Sequence, residues 1–238
     1  MFDVWGDIYR TELSGRPAAH VIERDDGYLD HFASASSYFD SPEQRPERDL
    51  LDRLQGPVLD LAAGAGSHSL YLQDSAGLDV TAAEYSPGAR AVCLARGCRR
   101  VVEADLRQLD LPSSAYGSII VMGNTIGAHQ TPDSFVGFLR RLRDAVRPGG
   151  CLLFTMIDPL DTVDERHLGY QRSNVAAGRP PGLVRIRMWR GDRHDDWMYL
   201  WMLTEPELRH SLAESEWTEV GSRRAGPLRV ILCEKVSG

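Results

Sequence analysis

Cysteine is scarce in this chain, long apolar runs are missing, and positive charge is outweighed. The four cysteines, Cys93, Cys98, Cys151 and Cys233, show none of the paired spacings of a metal-binding motif. Zinc or any other metal is therefore not expected. Two of the four sit in apolar patterns, which suits buried thiols kept free in a reducing compartment. No stretch reaches the roughly 18 apolar residues of a membrane-spanning helix, so no membrane partner is expected. The run Met1-Phe2-Asp3-Val4-Trp5 lacks the basic start of a secretory leader, which makes the cytoplasm the expected location. A net charge of −7 argues against tight non-specific binding to nucleic acid. The cluster Arg140, Arg141, Arg143 and Arg147 falls on an expected helix that also has to be soluble.

With 238 residues and 42% hydrophobic content, the chain suits one large domain, or a domain with a lid. The informative stretch runs from Val58 to Leu70. Val58-Leu59-Asp60-Leu61 is apolar apart from one acid, and Ala62-Ala63-Gly64-Ala65-Gly66 then leads into a helical pattern. This is how a buried parallel strand turns into a helix while leaving backbone N–H groups free for a ligand. Gly64 and Gly66 allow that ligand to approach the backbone closely. Asp60 needs hydrogen-bond partners if it is buried, and a loop rich in N–H donors is the expected source. A second apolar strand, Asp79 to Glu84, ends on a carboxylate where a nucleotide-binding fold places the acid that holds ribose hydroxyls. An adenosine-containing cofactor is the expectation. A dinucleotide fingerprint would carry a third Gly or Ala where this chain has Ser69.

Two further strands repeat the pattern. Val101 to Asp105 ends on an acid, and Tyr116 to Asn124 ends on an amide. Ser86-Pro87 and Thr131-Pro132 open helices, closed by Gly97 and by Pro148-Gly149-Gly150. Strands alternating with helices imply parallel pairing with helices on both faces. Residues 1–55 form a separate N-terminal segment with a helix from Asp3 to Leu13 and a second helix from Glu47 to Gln55. Val184 to Met188 alternates, with its arginines on one face, and Trp197 to Leu203 suits a partner strand. Thr204 opens another helix, and Trp217–Gly221 with Leu228–Glu234 forms a terminal hairpin.

In this order the motifs resemble a class I S-adenosylmethionine-dependent methyltransferase, over about residues 56–238 and most specifically from Val58 to Asp158. The resemblance implies an α/β fold: a Rossmann-like, doubly wound, seven-stranded sheet, mostly parallel, with an antiparallel C-terminal hairpin strand. Residues 1–55 would be a helical lid, and an insertion at about residues 159–203 would lay an antiparallel strand pair over the substrate site. S-adenosylmethionine would be the cofactor and S-adenosylhomocysteine the product. By the same resemblance, Asp60, Ala62, Gly64 and Gly66 belong to the loop that takes the methionine part. Glu84, beside Tyr85, would hold the ribose, and Asp105 would meet the adenine amine with Leu106 giving a backbone contact. Asn124 would border the transferred methyl. Ala62 stands where the family often has Gly, and it fits if its φ is negative.

Methyl transfer is an in-line displacement, and alignment with exclusion of water supplies much of the acceleration. A base is needed only where the acceptor must lose a proton. His129, on the loop after the fourth strand, is the candidate base, and Asn124 is the second catalytic candidate. The substrate candidates are Tyr28, His31, Tyr38, Tyr170 and Arg187. Tyr28, Phe32, Tyr38 and Phe39 suit a lid whose ring faces attract a sulfonium, or a small satellite core. His20 is a further lid histidine. Arg185 and Arg187 can hold a carboxylate or be balanced by Asp192, Asp195 and Asp196.

The expected reaction is methylation of O, N or C on a small-molecule metabolite, with a homodimer left open. The alternative is other sulfonium chemistry, aminocarboxypropyl transfer or cyclisation, releasing methylthioadenosine. A cofactor-retaining binding protein and a nicotinamide-dependent oxidoreductase are the remaining readings. The intact acids and glycines disfavour the first, and Ser69 with the terminal hairpin disfavours the second.

Overall fold

The computed structural model describes residues 2–236. Met1, and with it the first position of the expected leader-free start, lies outside the described residues, as do Ser237 and Gly238 at the end of the expected second segment.

In chain order the elements are α1 (Val4–Leu13), β1 (His20–Arg24), β2 (Leu29–Phe32), α2 (Arg48–Leu51), β3 (Val58–Leu61), α3 (Ser67–Asp74), β4 (Val80–Glu84), α4 (Pro87–Arg96) and β5 (Val101–Glu103). They continue with β6 (Tyr116–Val121), α5 (Pro132–Ala145), β7 (Val146–Ile157), α6 (Glu165–Ala176), β8 (Leu183–Arg190), β9 (Arg193–His194), β10 (Met198–Trp201), α7 (Glu205–Glu214), β11 (Trp217–Ala225) and β12 (Leu228–Lys235).

A seven-stranded sheet in the order β11-β12-β7-β6-β3-β4-β5 forms the centre. The pairs β7/β6, β6/β3, β3/β4 and β4/β5 are parallel, and β12 runs antiparallel to both β7 and β11. Strand alternation divides the core in two. Leu59, Leu61, Ile119, Val121 and Phe154 pack with Phe135, Phe138, Leu139 and Leu142 of α5. Val58, Ile120, Leu153, Val230 and Leu232 pack on the other face with Leu50, Leu51, Tyr71 and Leu72. Burying these large side chains on both faces contributes about 1.5–3 kcal/mol for each, which is what holds a parallel sheet.

The helix expected from Glu47 to Gln55 covers only Arg48–Leu51, because the chain turns at Asp52 and Arg53 towards Pro57. Between β5 and β6 the segment with Asp105, Asp110, Pro112 and two serines makes only a single 3₁₀ turn, Leu106–Gln108, since its residues favour turns over helix. A cleft of about 620 Å³ opens on that side of the sheet, lined among others by Tyr85, Asp105, Arg107, Leu109 and Tyr116.

The lid differs from the expected architecture. The strand pair of the insertion does not stand alone. β8 pairs with both β10 and β1, and β1 pairs with β2, so N-terminal segment and insertion share one antiparallel five-stranded sheet that also includes β9. Sequence reading treats the two segments separately because their pairing is fully non-local. The inner face of this sheet carries His20, Ile22, Met188, Met198 and Leu200. Met188 is buried with Val4, Ile8 and Tyr9 of α1. At the other end the carbonyl of Trp201 stands where a Cβ on Gly127, in the turn after β6, would sit. The second sheet is thus held over the carboxyl ends of the parallel strands.

Helix α1 is tied down by its own cap. Asp3 Oδ1 accepts from the Gly6 N–H (2.9 Å) and from the Ser86 hydroxyl (2.6 Å), while Oδ2 accepts from the Gly88 N–H (2.8 Å). One carboxylate therefore serves the N-terminal ends of both α1 and α4, where helix dipoles favour negative charge. The two helices approach so closely that a Cβ on Gly88 would meet Gly6 Cα at 2.5 Å. Asp3→Ala is expected to lower the unfolding free energy by about 2 kcal/mol, the loss of two cap contacts. Urea unfolding checks this, and a change below about 0.5 kcal/mol would dismiss the shared cap.

Candidate cofactor and active site

Ala62 leaves β3 with φ 56°, Gly64 follows at 59° and Gly66 at 80°. The expectation of negative φ at Ala62 fails. The chain turns over immediately after the strand, and an alanine in this left-handed region is held there at a cost of about 1–2 kcal/mol. Neighbouring bonds fix the loop: Gly66 N–H donates to the Ala63 carbonyl at 2.8 Å, and Gly64 N–H donates to Glu84 Oε2 at 2.9 Å. Behind the loop, a Cβ on Gly66 would lie 2.7 Å from Cys98 Sγ and 3.2 Å from Cys93 Sγ. All four cysteines are free and buried.

Glu84 ends β4 with both carboxylate oxygens engaged, Oε2 by Gly64 and Oε1 by the Ser86 N–H at 2.9 Å. Removal from solvent raises its pKa, and the backbone donors oppose that rise. Each oxygen keeps a second lone pair for a ligand hydroxyl. Asp60 is buried, and desolvation raises its pKa too. Its partner is not a loop amide but the Ser69 hydroxyl, at 2.6 Å. Ser69, the residue that breaks the dinucleotide fingerprint, thus satisfies the strand's acid from the first turn of α3.

On the next strand Asp105 accepts from the Arg107 N–H (2.9 Å) and from its guanidinium (2.9 and 2.8 Å). The Arg107 hydrogen bonds hold its carboxyl below the usual range. Tyr85 is exposed beside it, with the Arg107 guanidinium 5.8 Å from its ring centre. Leu106 is half-buried against the main core.

A residue that the motif reading did not assign to the site, Tyr9, hangs over the glycine loop. Its hydroxyl would be 3.1 Å from a Cβ on Gly64. Burial raises its pKa well above 10.0, and nearby Tyr38 and Glu84 add to this. Tyr9 stacks on Trp5 and meets Tyr38 and Phe39 edge-on, with centroids 5.5, 5.5 and 6.3 Å apart. The Tyr38 carbonyl accepts from Ser67 at 2.5 Å, and the Arg96 guanidinium joins Phe39, Ala65 and Ser67. Trp5 and Tyr9 lie four residues apart on the helix expected from Asp3 to Leu13, but helical spacing does not reveal that this face meets the loop.

Asn124 is buried with φ 63° and latches β6 to β7. Its Oδ1 accepts from the Ile157 N–H, and its own N–H donates to Thr155 Oγ1, each at 3.0 Å. His129 is buried against Phe135 and Phe138, with centroids 5.8 and 4.7 Å away. Its Nε2 has no partner. Desolvation, with a smaller push from Arg141, lowers its pKa to about 4.

The substrate candidates do not all gather at this cluster. Tyr38 belongs to it, but Tyr28 sits between the Arg24 and Arg166 guanidinium groups, and Tyr170 donates to Asp25 at 2.7 Å. His31 is exposed on β2, cross-strand from Val21 on the outer face. Arg187 also faces outward. It donates to Glu23 at 2.7 Å and lies over the rings of Trp189 and Trp197. Among the described residues no group of three or more His, Cys, Asp or Glu is placed to hold a metal, and no helix is long and apolar enough to cross a membrane.

The depressed pKa of His129 has a consequence for stability. The unfolded chain takes up a proton near pH 6.5 that the folded chain refuses until about pH 4. Stability therefore falls as pH falls through that window. In urea unfolding, the stability difference between wild type and His129→Leu is expected to move by about 3 kcal/mol against wild type from pH 7 to pH 4. Comparing the two proteins cancels the opposite trend from Asp60 and Glu84. A pH-independent difference would show that the imidazole is not desolvated.

Residues 58–150 match a family model described as a methyltransferase domain. No curated protein matches the chain. Among solved structures, an S-adenosylmethionine-dependent methyltransferase from Bacteroides fragilis, in complex with S-adenosylhomocysteine, is 21% identical with a TM-score of 0.78, covering 98% of this chain and 95% of that one. The CcbJ methyltransferase of Streptomyces caelestis is 16% identical at 0.63, covering 83% and 97%. A Burkholderia thailandensis 1,6-didemethyltoxoflavin-N1-methyltransferase, with 1,6-didemethyltoxoflavin and S-adenosylhomocysteine bound, is 20% identical at 0.56, covering 99% and 88%. The central strands of residues 58–150 thus match a methyltransferase domain model, and the chain as a whole has the fold of these S-adenosylmethionine-dependent methyltransferases.

Proposed function

We propose that the chain methylates O, N or C of a small molecule that enters between the parallel sheet and the antiparallel lid. The observation that carries this reading is the enclosure of the glycine loop by Tyr9, Trp5 and Tyr38 under a second sheet with an apolar inner face. The arginines on that face are paired, Arg24 with Asp26 and Arg190 with Asp7 of α1, which disfavours a nucleic-acid partner. The Burkholderia neighbour, with 1,6-didemethyltoxoflavin bound, supports the same reading.

The residues fit the cofactor. Asp60 sets the loop through Ser69, and Ala62, Gly64 and Gly66 offer bare backbone to the amino-acid tail. Glu84 holds the ribose through its free lone pairs. Tyr85, Asp105 and Leu106 border the adenine, with Arg107 yielding one Asp105 oxygen. Asn124 and the aromatic rings stand near the sulfonium, whose charge ring faces attract. S-adenosylmethionine supplies an electrophilic methyl carbon, and the protein supplies alignment and a dry site. His129 remains neutral above about pH 5 and serves as a weak acceptor rather than a strong base. Of the substrate candidates, Tyr38 carries the proposal forward, because the others are committed to partners elsewhere or face outward. A cytoplasmic location fits the four free thiols.

Glu84→Ala is expected to weaken S-adenosylhomocysteine binding by about 1.5–3 kcal/mol, the range for hydrogen bonds to a charged group. Calorimetry with unchanged affinity would remove Glu84 from the ribose role. Turnover with extracted metabolites is expected to release S-adenosylhomocysteine, and methylthioadenosine as the by-product would replace methyl transfer with another sulfonium reaction.

A further inference from the structure

Cys93 lies on α4, and Cys98 follows just past the end of that helix. Between them Gly97 closes the helix at φ 104°, and the Cys98 N–H donates back to the Cys93 carbonyl at 3.0 Å. This turn brings both sulfurs to one spot behind the glycine loop, where a Cβ on Gly66 would lie 2.7 Å from Cys98 Sγ and 3.2 Å from Cys93 Sγ. Cys93 also hydrogen-bonds Cys98, thiol to thiol, which raises the Cys93 pKa and lowers that of Cys98. Cys151 and Cys233 are set differently, one against the Ser118 hydroxyl and the other inside the main core.

The same two sulfurs hold the loop. Cys93 Sγ is 3.2 Å from the Gly64 carbonyl oxygen, and Cys98 Sγ is 3.9 Å from that of Gly66. A carbonyl only accepts, so each contact needs a sulfur that still carries its hydrogen. Arg96, between the two cysteines in sequence, donates to the Ala65 carbonyl at 2.6 Å and to Ser67 Oγ at 3.0 Å. The back of the turn from Gly64 to Ser67 is thus fastened by residues 93–98. Cys93 is fully buried, whereas Cys98 keeps 5% of its surface and lies between exposed Gly97 and Arg99. A small oxidant therefore meets Cys98 first. Its thiolate is also the favoured one, through the Cys93 donor and the charge of Arg96.

We propose that Cys93 and Cys98 form a reversible disulfide that loosens the glycine loop and weakens cofactor binding, with hydrogen peroxide as the oxidant. The inference rests on the cofactor reading above. The Cys98 thiolate attacks one peroxide oxygen, the O–O bond breaks, and Cys98 becomes a sulfenic acid. The departing hydroxide takes the proton that Cys98 gave up. The Cys93 sulfur then attacks the Cys98 sulfur, an S–S bond forms, and the S–O bond breaks. The hydroxyl leaves as water with the Cys93 proton. Two thiols lose two electrons in all, and one peroxide is reduced to two waters. Both S–H donors are gone in the product, so the Gly64 and Gly66 carbonyls lose their partners. A thiol reductant restores them by exchange.

S-adenosylhomocysteine is titrated by calorimetry into the reduced chain, into the peroxide-treated chain, and into treated chain returned to dithiothreitol. Non-reducing tryptic mapping identifies the bond, because the cut after Arg96 separates the two cysteines. A Cys93–Cys98 link is expected, with affinity at least about tenfold weaker and full recovery in dithiothreitol. In Cys98→Ala, peroxide is expected to leave the affinity where it stood before treatment. No binding to the reduced chain would defeat the cofactor reading and this inference with it. If the reduced chain binds, four results overturn this inference alone: no Cys93–Cys98 link, a link that changes affinity less than about threefold, a loss that dithiothreitol does not reverse, or an equal loss in Cys98→Ala. Should Cys98→Ala fail to fold, the mapped link and the recovery in dithiothreitol still decide.

Discussion

The backbone after β3 must reverse within a few residues and still keep amide groups at the surface of the site. Glu84 makes this possible by gripping the Gly64 N–H from the end of the neighbouring strand. The bond ties the turn to β4, so the two strand ends proposed to hold the cofactor are built as one unit. Cys93 and Cys98 fill the space behind Gly66, which leaves no side-chain volume there. Ala62 accepts a left-handed conformation as part of the same arrangement.

From that turn the roof can be followed outward. Tyr9 rests over Gly64, α1 carries Tyr9, and Asp3 locks α1 to α4. Met188 then joins α1 to the second sheet. The lid is therefore packed into the body of the protein, and its inner face is set by the same alternation that governs any half-buried strand. Its charged side is quenched locally: Arg187 pairs with Glu23 and lies against two tryptophan rings.

Most of the central fold was legible because its signals are local. The apolar runs Val58–Leu61 and Ile119–Val121, the caps at Ser86 and Thr131, and the stop at Gly97 depend on neighbours a few residues away. The glycine loop and the acids at Glu84 and Asp105 were legible for the same reason. Asp60 was correctly marked as needing a partner, but Ser69 supplies it, and a strand acid cannot announce which helix residue will face it. The joining of β1 to β8 was not legible, since more than a hundred and fifty residues separate strands that carry no mutual signature.

The amino-acid order alone determined the alternating strands and helices, the sharp glycine turn and the acids that end successive strands, because strand period, caps and backbone freedom act over a few residues. Tertiary structure decided the rest. It chose which aromatic rings roof the loop, turned Arg187 outward and His20 inward, drove His129 towards neutrality, and merged two distant segments into one sheet. Those outcomes depend on burial and on cross-strand register, quantities that exist only once distant parts of the chain have met.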